Sequence, residues 1–398
     1  MRTTKLFILI ILSMVCFFNP GGIFSSQGAK LLRYVVFVIS FIFCIKAENK
    51  YSKDDYPFYS YWGLIMIFVL SIIPSFYFHD QPFLVSIIAI LPYLTSYLYF
   101  YVFLRLSIPK NTIYNVIKFI LILSGIIYAV NFVTFPHPVF GEEKEEYDMT
   151  RGLVRLWIPF LELHVLGLFY AINQWVLYGG KKYVCWIFYA LIMIFLSVTR
   201  QHIFYSVILG MWMLLRNSSL YKKIIVCVVM SSIVFWVLPH ISAYQTMIEL
   251  TNTQKEKNED KDDIRLLAWQ FYTKEAQTNE ISPIVGNGFP ALDKSQWGNQ
   301  MRAVVDYNHC HAVDVGWAGF YFYFGALGVI CLGYLLFASI RRKKVVEEKY
   351  LNYWLIYIVL ISFTSAPIIY PAQIFSIMLV LYLIYQKNEK DSHSYSKL

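Results

Sequence analysis

Apolar runs of about 16 to 25 residues recur along this chain, and nothing else in it limits the fold so strongly. An α-helix needs roughly 20 predominantly apolar residues to cross the hydrocarbon core of a bilayer. The runs fall at about 6–23, 31–46, 58–78, 83–105, 113–134, 156–178, 183–199, 201–216, 224–239, 313–338, 352–368 and 371–386. Apolar residues make up 58% of the 398 positions and charged residues 15%, against roughly 25% charged in an ordinary soluble chain. A soluble protein built this way would lack the polar surface to cover itself. The 32 Tyr, 32 Phe and 10 Trp fit the aromatic enrichment of membrane–water interfaces. The expected class is an all-α polytopic membrane protein with about 12 transmembrane helices.

The charges in the connections give the expected orientation. Basic residues cluster in every second connection: Lys46, Lys50 and Lys53; Arg105 and Lys110; Lys181 and Lys182; Arg216, Lys222 and Lys223; Arg341 to Lys344. With both termini, that set holds 20 of the 34 Lys and Arg residues, so the positive-inside rule predicts cytoplasmic termini and an even number of spans. The net charge of +9 is then loop lysine, and no nucleic-acid partner is expected. Six cysteines without close pairs (Cys16, Cys44, Cys185, Cys227, Cys310, Cys331) suggest neither a disulfide framework nor a zinc site. Met1 to Phe18 imitates a signal peptide, but no small-residue cleavage site follows, so it reads as an uncleaved first helix.

Three parts are expected: nine helices with short loops over 1–240, one large external loop over about 241–312, and three helices with a cytoplasmic tail over 313–398. In the loop, Asp262 or Asp263 suits the N-terminus of a helix beginning near Ile264. Ile264, Leu267, Ala268 and Phe271 would share one face of it, resting on the bilayer or on the bundle.

Arg151, Arg155, Arg200, Arg265, His309, His311 and Asp314 all fall on the side opposite the basic loops. Arg200 lies in the short link Ser197-Val198-Thr199-Arg200, which holds it at the membrane boundary, the level of a lipid-linked pyrophosphate. A planar guanidinium grips phosphate bidentately and keeps its charge in a low dielectric; an interfacial snorkelling arginine is the plainer alternative. Arg265 occupies the first turn of the loop helix, where N–H groups favour an anion, or it simply pairs with a neighbouring aspartate. His309, His311 and Asp314 precede the tenth helix as candidates for a general base acting on a hydroxyl. Solvated histidines and a helix-capping aspartate are the alternatives. Glu162 and His164 are placed about two turns inside the sixth helix, and ionisable groups there mark function or a polar cavity. The Asp260-Lys261-Asp262 triplet is discounted as a metal site, and no metalloprotease, phosphate-loop or dinucleotide motif is present.

In this order, the elements resemble the bacterial O-antigen polymerase and ligase superfamily (Wzy-type polymerases and O-antigen ligases). They are Thr199-Arg200-Gln201, Arg265 followed by Trp269, Gly286-Asn287-Gly288-Phe289, His309-Cys310-His311 and Gly325-Ala326-Leu327-Gly328, with Arg151-Gly152 before the sixth helix. The similarity covers roughly 150–330 in pattern. Ligases usually show His-Asn where this chain has Asp314, which favours the polymerase.

The resemblance implies metal-independent glycosyl transfer, with no cofactor, between undecaprenyl-pyrophosphate-linked oligosaccharides on the periplasmic face of the inner membrane. Arg200, Arg265 and Arg151 would bind pyrophosphate, with Arg155 and Glu162 contributing to substrate binding. His311, Asp314 or His309 would activate the acceptor. A flippase and a chain-length regulator of the same pathway are the implied partners. A ligase transferring finished polymer to lipid A-core and a lipid-linked oligosaccharide flippase are the rival readings, and flippases need no large external loop. A transferase with its catalytic acid in the first external loop is disfavoured, because Pro20 to Lys30 contains no Asp or Glu.

Overall fold

The computed structural model describes residues 2–48, 51–141, 156–217 and 264–386, with Leu220, Tyr221, Ile224 and Gln245. The ninth apolar run, Arg151, Arg155, Asp262 and Asp263 lie outside the described residues. Among those described the protein is helical, without strands, apart from a single bridge between Pro20 and Phe140. The helices are α1 (Arg2–Met14), α2 (Ser26–Lys46), α3 (Phe58–Leu70), α4 (Ile72–His79), α5 (Phe83–Leu106), α6 (Lys110–Val133), α7 (Leu161–Tyr178), α8 (Lys181–Leu196) and α9 (Arg200–Asn217). After the undescribed stretch come α10 (Ile264–Gln270), α11 (Ser282–Val285), α12 (Gln296–Asn308), α13 (Gly316–Arg341), α14 (Tyr350–Ile361) and α15 (Pro371–Tyr385). Five segments are long and apolar enough to cross a membrane: α2, α3 with α4, α5, α6 and α13.

Several hydroxyls inside these apolar helices are satisfied locally. Hydroxyls of Ser40, Ser339 and Ser362 donate to the carbonyls of Val36, Leu335 and Ile358, four residues back. Each of these hydroxyls thereby keeps a partner in an apolar surround. α15 is buried on all sides from Ile374 to Tyr385 and packs on α5, α7 and α14, as a helix apolar all round its circumference must. α2 is its opposite, with Leu31, Val35, Val38, Ile42 and Ile45 exposed.

The helix ends differ from the sequence reading in four places. α1 stops at Met14, and Cys16, Phe17, Phe18 and Asn19 then follow in the left-handed region (φ 45–65°). α2 begins at Ser26, where the Ser25 side chain accepts from the Gly28 amide at 3.1 Å. Arg33 therefore sits about two turns inside a helix, with its Nε buried and without a hydrogen-bond partner among the described residues. α7 begins at Leu161 after a left-handed Phe160, so Glu162 lies in the first turn and not two turns in. α14 ends at Ile361, short of the expected 368.

Two ends of the bundle follow from the pairings. At one, Lys110 bonds Glu348 at 2.6 Å, Arg342 Nη1 donates to the Asp55 carbonyl at 2.6 Å, and Asn173 donates to the Glu347 carbonyl at 3.0 Å. The connections that meet there are the basic ones. The other end gathers the starts of α7, α9, α13 and α15 and the end of α14.

The segment 282–295 is inserted between helices at that second end. The amides of Asn287 and Gly288 donate to the carbonyls of Phe322 (2.9 Å) and Tyr323 (3.0 Å), where α13 breaks at Gly325 (φ 65°, ψ −174°). A Cβ on Gly288 would lie 1.9 Å from Ser75 Oγ, and one on Gly325 2.2 Å from the Ile284 carbonyl. Gln81 ties the segment down: Ala291 N and Ser295 Oγ donate to its Oε1, and its Nε2 donates to the Phe289 carbonyl.

Candidate functional site

Arg200 is the first residue of α9, reached from α8 through Ser197, Val198 (φ 52°) and Thr199. The Ser197 hydroxyl accepts from the Thr199 amide at 3.3 Å, which shapes the turn. Two residues on, His202 is buried and its Nδ1 is hydrogen-bonded to the hydroxyl of fully buried Tyr357 on α14. The first turn of α9, and Arg200 with it, is thus pinned to α14.

Arg265 lies exposed in the first turn of α10. The buried face of this segment is Ala268, Phe271 and Tyr272, whereas Ile264 and Leu267 are exposed, so α10 packs on the bundle. Trp269 Nε1 donates to the Phe363 carbonyl at 3.1 Å, and the two rings stack with centroids 5.9 Å apart. Phe363 lies six positions beyond Tyr357, two past the last residue of α14. The elements that carry the two arginines are therefore anchored to one short stretch of α14 and its exit.

His309 closes α12 in the left-handed region (φ 53°) and is exposed. His311 and Asp314 share one tight turn, the Asp314 amide donating to the His311 carbonyl at 3.0 Å. α10 packs against the Ala312–Asp314 turn. Between the histidines, Cys310 is buried; its carbonyl accepts from the Tyr272 hydroxyl at 2.9 Å. Burial pushes the Tyr272 phenol above its ordinary range and raises the Cys310 thiol. Both stay protonated, so Cys310 serves packing and Tyr272 serves as a donor.

Asp314 is not the cap of α13. The N-cap is Val315, without a side-chain hydrogen bond. The first free amides of α13, Gly316 and Trp317, donate instead to the Ser365 and Ser362 carbonyls at 2.9 and 3.0 Å. A Cβ on Gly316 would lie 2.4 Å from the Ser365 oxygen, and that close approach makes the docking possible.

Glu162 is 3% exposed, with its Oε1 accepting from Gln373 Nε2 at 2.6 Å and its carbonyl accepting from Trp354 Nε1 at 2.8 Å. Gln373 is on α15 and Trp354 on α14, one turn from Tyr357. His164 turns away, its Nε2 within 3.1 Å of Ser124 Oγ on α6. Glu162 and His164 therefore do not pair with each other.

Arg200, Arg265, His311, Asp314 and Glu162 belong to elements that converge on the end of α14, while His309 stands at the margin. Tyr357, Trp354, Gln373 and Phe363 were missed in the sequence because an aromatic or amide inside an apolar run reads as core. The one available signal was a glutamine three positions into an otherwise apolar helix. A hollow of about 730 Å³ along α12, lined by Lys294, Ser295, Gln296, Asn299, Gln300 and Ala303, touches none of these residues. Among the described residues, no group of three or more His, Cys, Asp or Glu could hold a metal ion. Neither a scan against protein-family models nor a search of curated proteins returns a match.

Proposed function

We propose that this chain is a membrane glycosyltransferase that polymerises lipid-pyrophosphate-linked oligosaccharide repeat units, of the Wzy type, in the bacterial inner membrane with its site on the periplasmic face. The observation that carries this reading is the common anchoring of the Arg200 and Arg265 elements on the end of α14. Two arginine-bearing segments whose anchors, Tyr357 and Phe363, stand six positions apart at the end of one helix suit two linked phosphates. Each fork can take one phosphate bidentately. In the reaction, the growing chain leaves its pyrophosphate, whose charge the arginines neutralise as it develops. The acceptor sugar hydroxyl loses its proton to His311 or Asp314, which share a turn beside α10. Glu162, already buried and bonded to Gln373, orients the first turn of α7 against the same helix end.

The test is the surface polysaccharide of a deletion strain resolved on a gel and complemented with variants. One repeat unit on the lipid core supports the polymerase. Free lipid-linked polymer supports a ligase, and no surface repeat at all supports a flippase. In complementation, Arg200→Ala and Arg200→Lys reduce polymer by about 10²-fold or more at unchanged protein level. Full-length polymer with Arg200→Ala returns that residue to the role of an interfacial anchor.

A further inference from the structure

At the basic end of the bundle, away from the proposed reaction, a second site is formed between helices that do not close on each other. α2 and α3 both pack on α5 but scarcely touch one another. Where the connection from α2 to α3 meets α3 and α5, a cleft of about 450 Å³ is lined by Tyr51, Ser52, Lys53 and Tyr56, with Phe58 and Trp62 of α3 and Tyr101 and Leu104 of α5. Its walls are aromatic, Lys53 is part of its lining, and Arg105 stands beside the lining residue Tyr101. Lys53 is exposed and lies 5.5 Å over the Phe58 ring; Arg105 lies 5.9 Å over the Tyr101 ring, its Nε donating to the Cys44 carbonyl. Neither Lys53 nor Arg105 has a carboxylate partner among the described residues. Of the two acids that follow Lys53, Asp54 is exposed and Asp55 has its Oδ2 occupied by the amide and hydroxyl of Ser52. Tyr56 accepts from Trp62 Nε1 at 3.4 Å, which leaves its own hydroxyl proton available to a ligand. Below the cleft, α2 shows apolar side chains outward at Val38, Ile39 and Ile42, and α3 does so at Met66, Val69 and Leu70.

We propose that this cleft binds an anionic phospholipid. Lys53 and Arg105 would hold the headgroup phosphate, the Tyr56 hydroxyl would donate to it, and an acyl chain would lie against Trp62 in the gap between α2 and α3. Two cations without carboxylates on an interhelical aromatic slot match an anionic headgroup with an apolar tail. Phosphate without a tail would leave the apolar walls unused. An uncharged or zwitterionic lipid would leave the cations uncompensated.

The experiment uses the full-length protein purified in detergent and titrated with phosphatidylglycerol or phosphatidylcholine, the bound lipid being counted by native mass spectrometry. Phosphatidylglycerol should bind in preference. Lys53→Glu, an exposed change that leaves packing intact, should weaken its binding about fivefold or more, at roughly a fivefold factor per charge near the surface. Phosphatidylcholine binding should be unaltered. Arg105→Gln should reduce the preference in the same direction. Equal phosphatidylglycerol binding by the wild type and both variants would overturn the site. Displacement of the lipid by glycerol 3-phosphate alone, at matched concentration, would overturn the lipid assignment in favour of a soluble phosphate ligand. None of these readouts depends on glycosyl transfer, so the proposed function can fail without touching them.

Discussion

The two ends of this bundle solve the same problem, closing a set of helices, in opposite ways. At the basic end, connections are short and their polar groups meet across small gaps, as Lys110 meets Glu348 and Asn173 meets the Glu347 carbonyl. Glycines there stand in open space: a Cβ on Gly179 or Gly180 would touch nothing within 4 Å. At the other end, backbone is driven into the helices. Gly286, Gly288, Gly316 and Gly325 each touch foreign backbone closely enough that a Cβ would clash, and left-handed residues precede α7, α9 and the His311 turn (Phe160, Val198, His309). Irregular backbone at helix ends costs stability, and here it is spent on fixing where Arg200, Glu162, His311 and Asp314 stand. One end is closed by side chains that can rearrange, the other by main chain that cannot.

That contrast is most directly broken with glycines. Gly288→Ala places a Cβ 1.9 Å from Ser75 Oγ on a backbone at φ 78°, combining overpacking with left-handed strain. It should cost about 3 kcal/mol or more and abolish most folded protein in a thermal-unfolding assay. Gly180→Ala, equally left-handed at φ 97° but unobstructed, should cost only about 1–2 kcal/mol. Equal losses at the two positions would mean that strain, and not the interlock, distinguishes the ends.

A smaller effect on the fold, and a large one on function, is expected from Asp314→Asn. The first amides of α13 are held by the Ser362 and Ser365 carbonyls, so the melting temperature should stay within a degree or two while polymer disappears. His311→Ala should behave alike, and His309→Ala should retain substantial activity, read from the same gel. If Asp314→Asn and His311→Ala both make normal chains, the base is neither, and Glu162 becomes the next candidate.

A smaller effect on function is expected from Tyr357→Phe, which removes the hydroxyl bonded to His202. It should cost about 1–2 kcal/mol and lower polymer yield about tenfold by loosening the start of α9. Lys110→Ala, breaking the ion pair at the opposite end, should cost about 1 kcal/mol at most and leave polymer length unchanged. A comparable loss of polymer in both would remove the functional distinction between the ends.

Much of this architecture could be read from the chain because a long apolar run favours a helix: every run within the described residues carries one, though their ends differ. Arg200 at a helix boundary was legible from the brevity of 197–199. The ties that assemble the candidate site were not. Gln81 meets Phe289 across 208 positions, and Glu162 meets Gln373 across 211; an amide gives no local sign of so distant a partner. The orientation of α10 was also hidden. Of the expected face, Ala268 and Phe271 are buried while Ile264 and Leu267 are exposed, and Tyr272 joins the buried side, with Trp269 reaching the end of α14.

The insertion of 282–295 has a consequence for inheritance and for engineering. A loop hydrogen-bonded to a break in one helix and wedged against another is not a cassette. A foreign loop grafted onto these helices would bring its own contour to a slot cut for this one, so a working chimera must carry α4 and the first half of α13 along with the loop. The freedom to vary is left to α12, where Val304 and Tyr307 point outward and no helix depends on them.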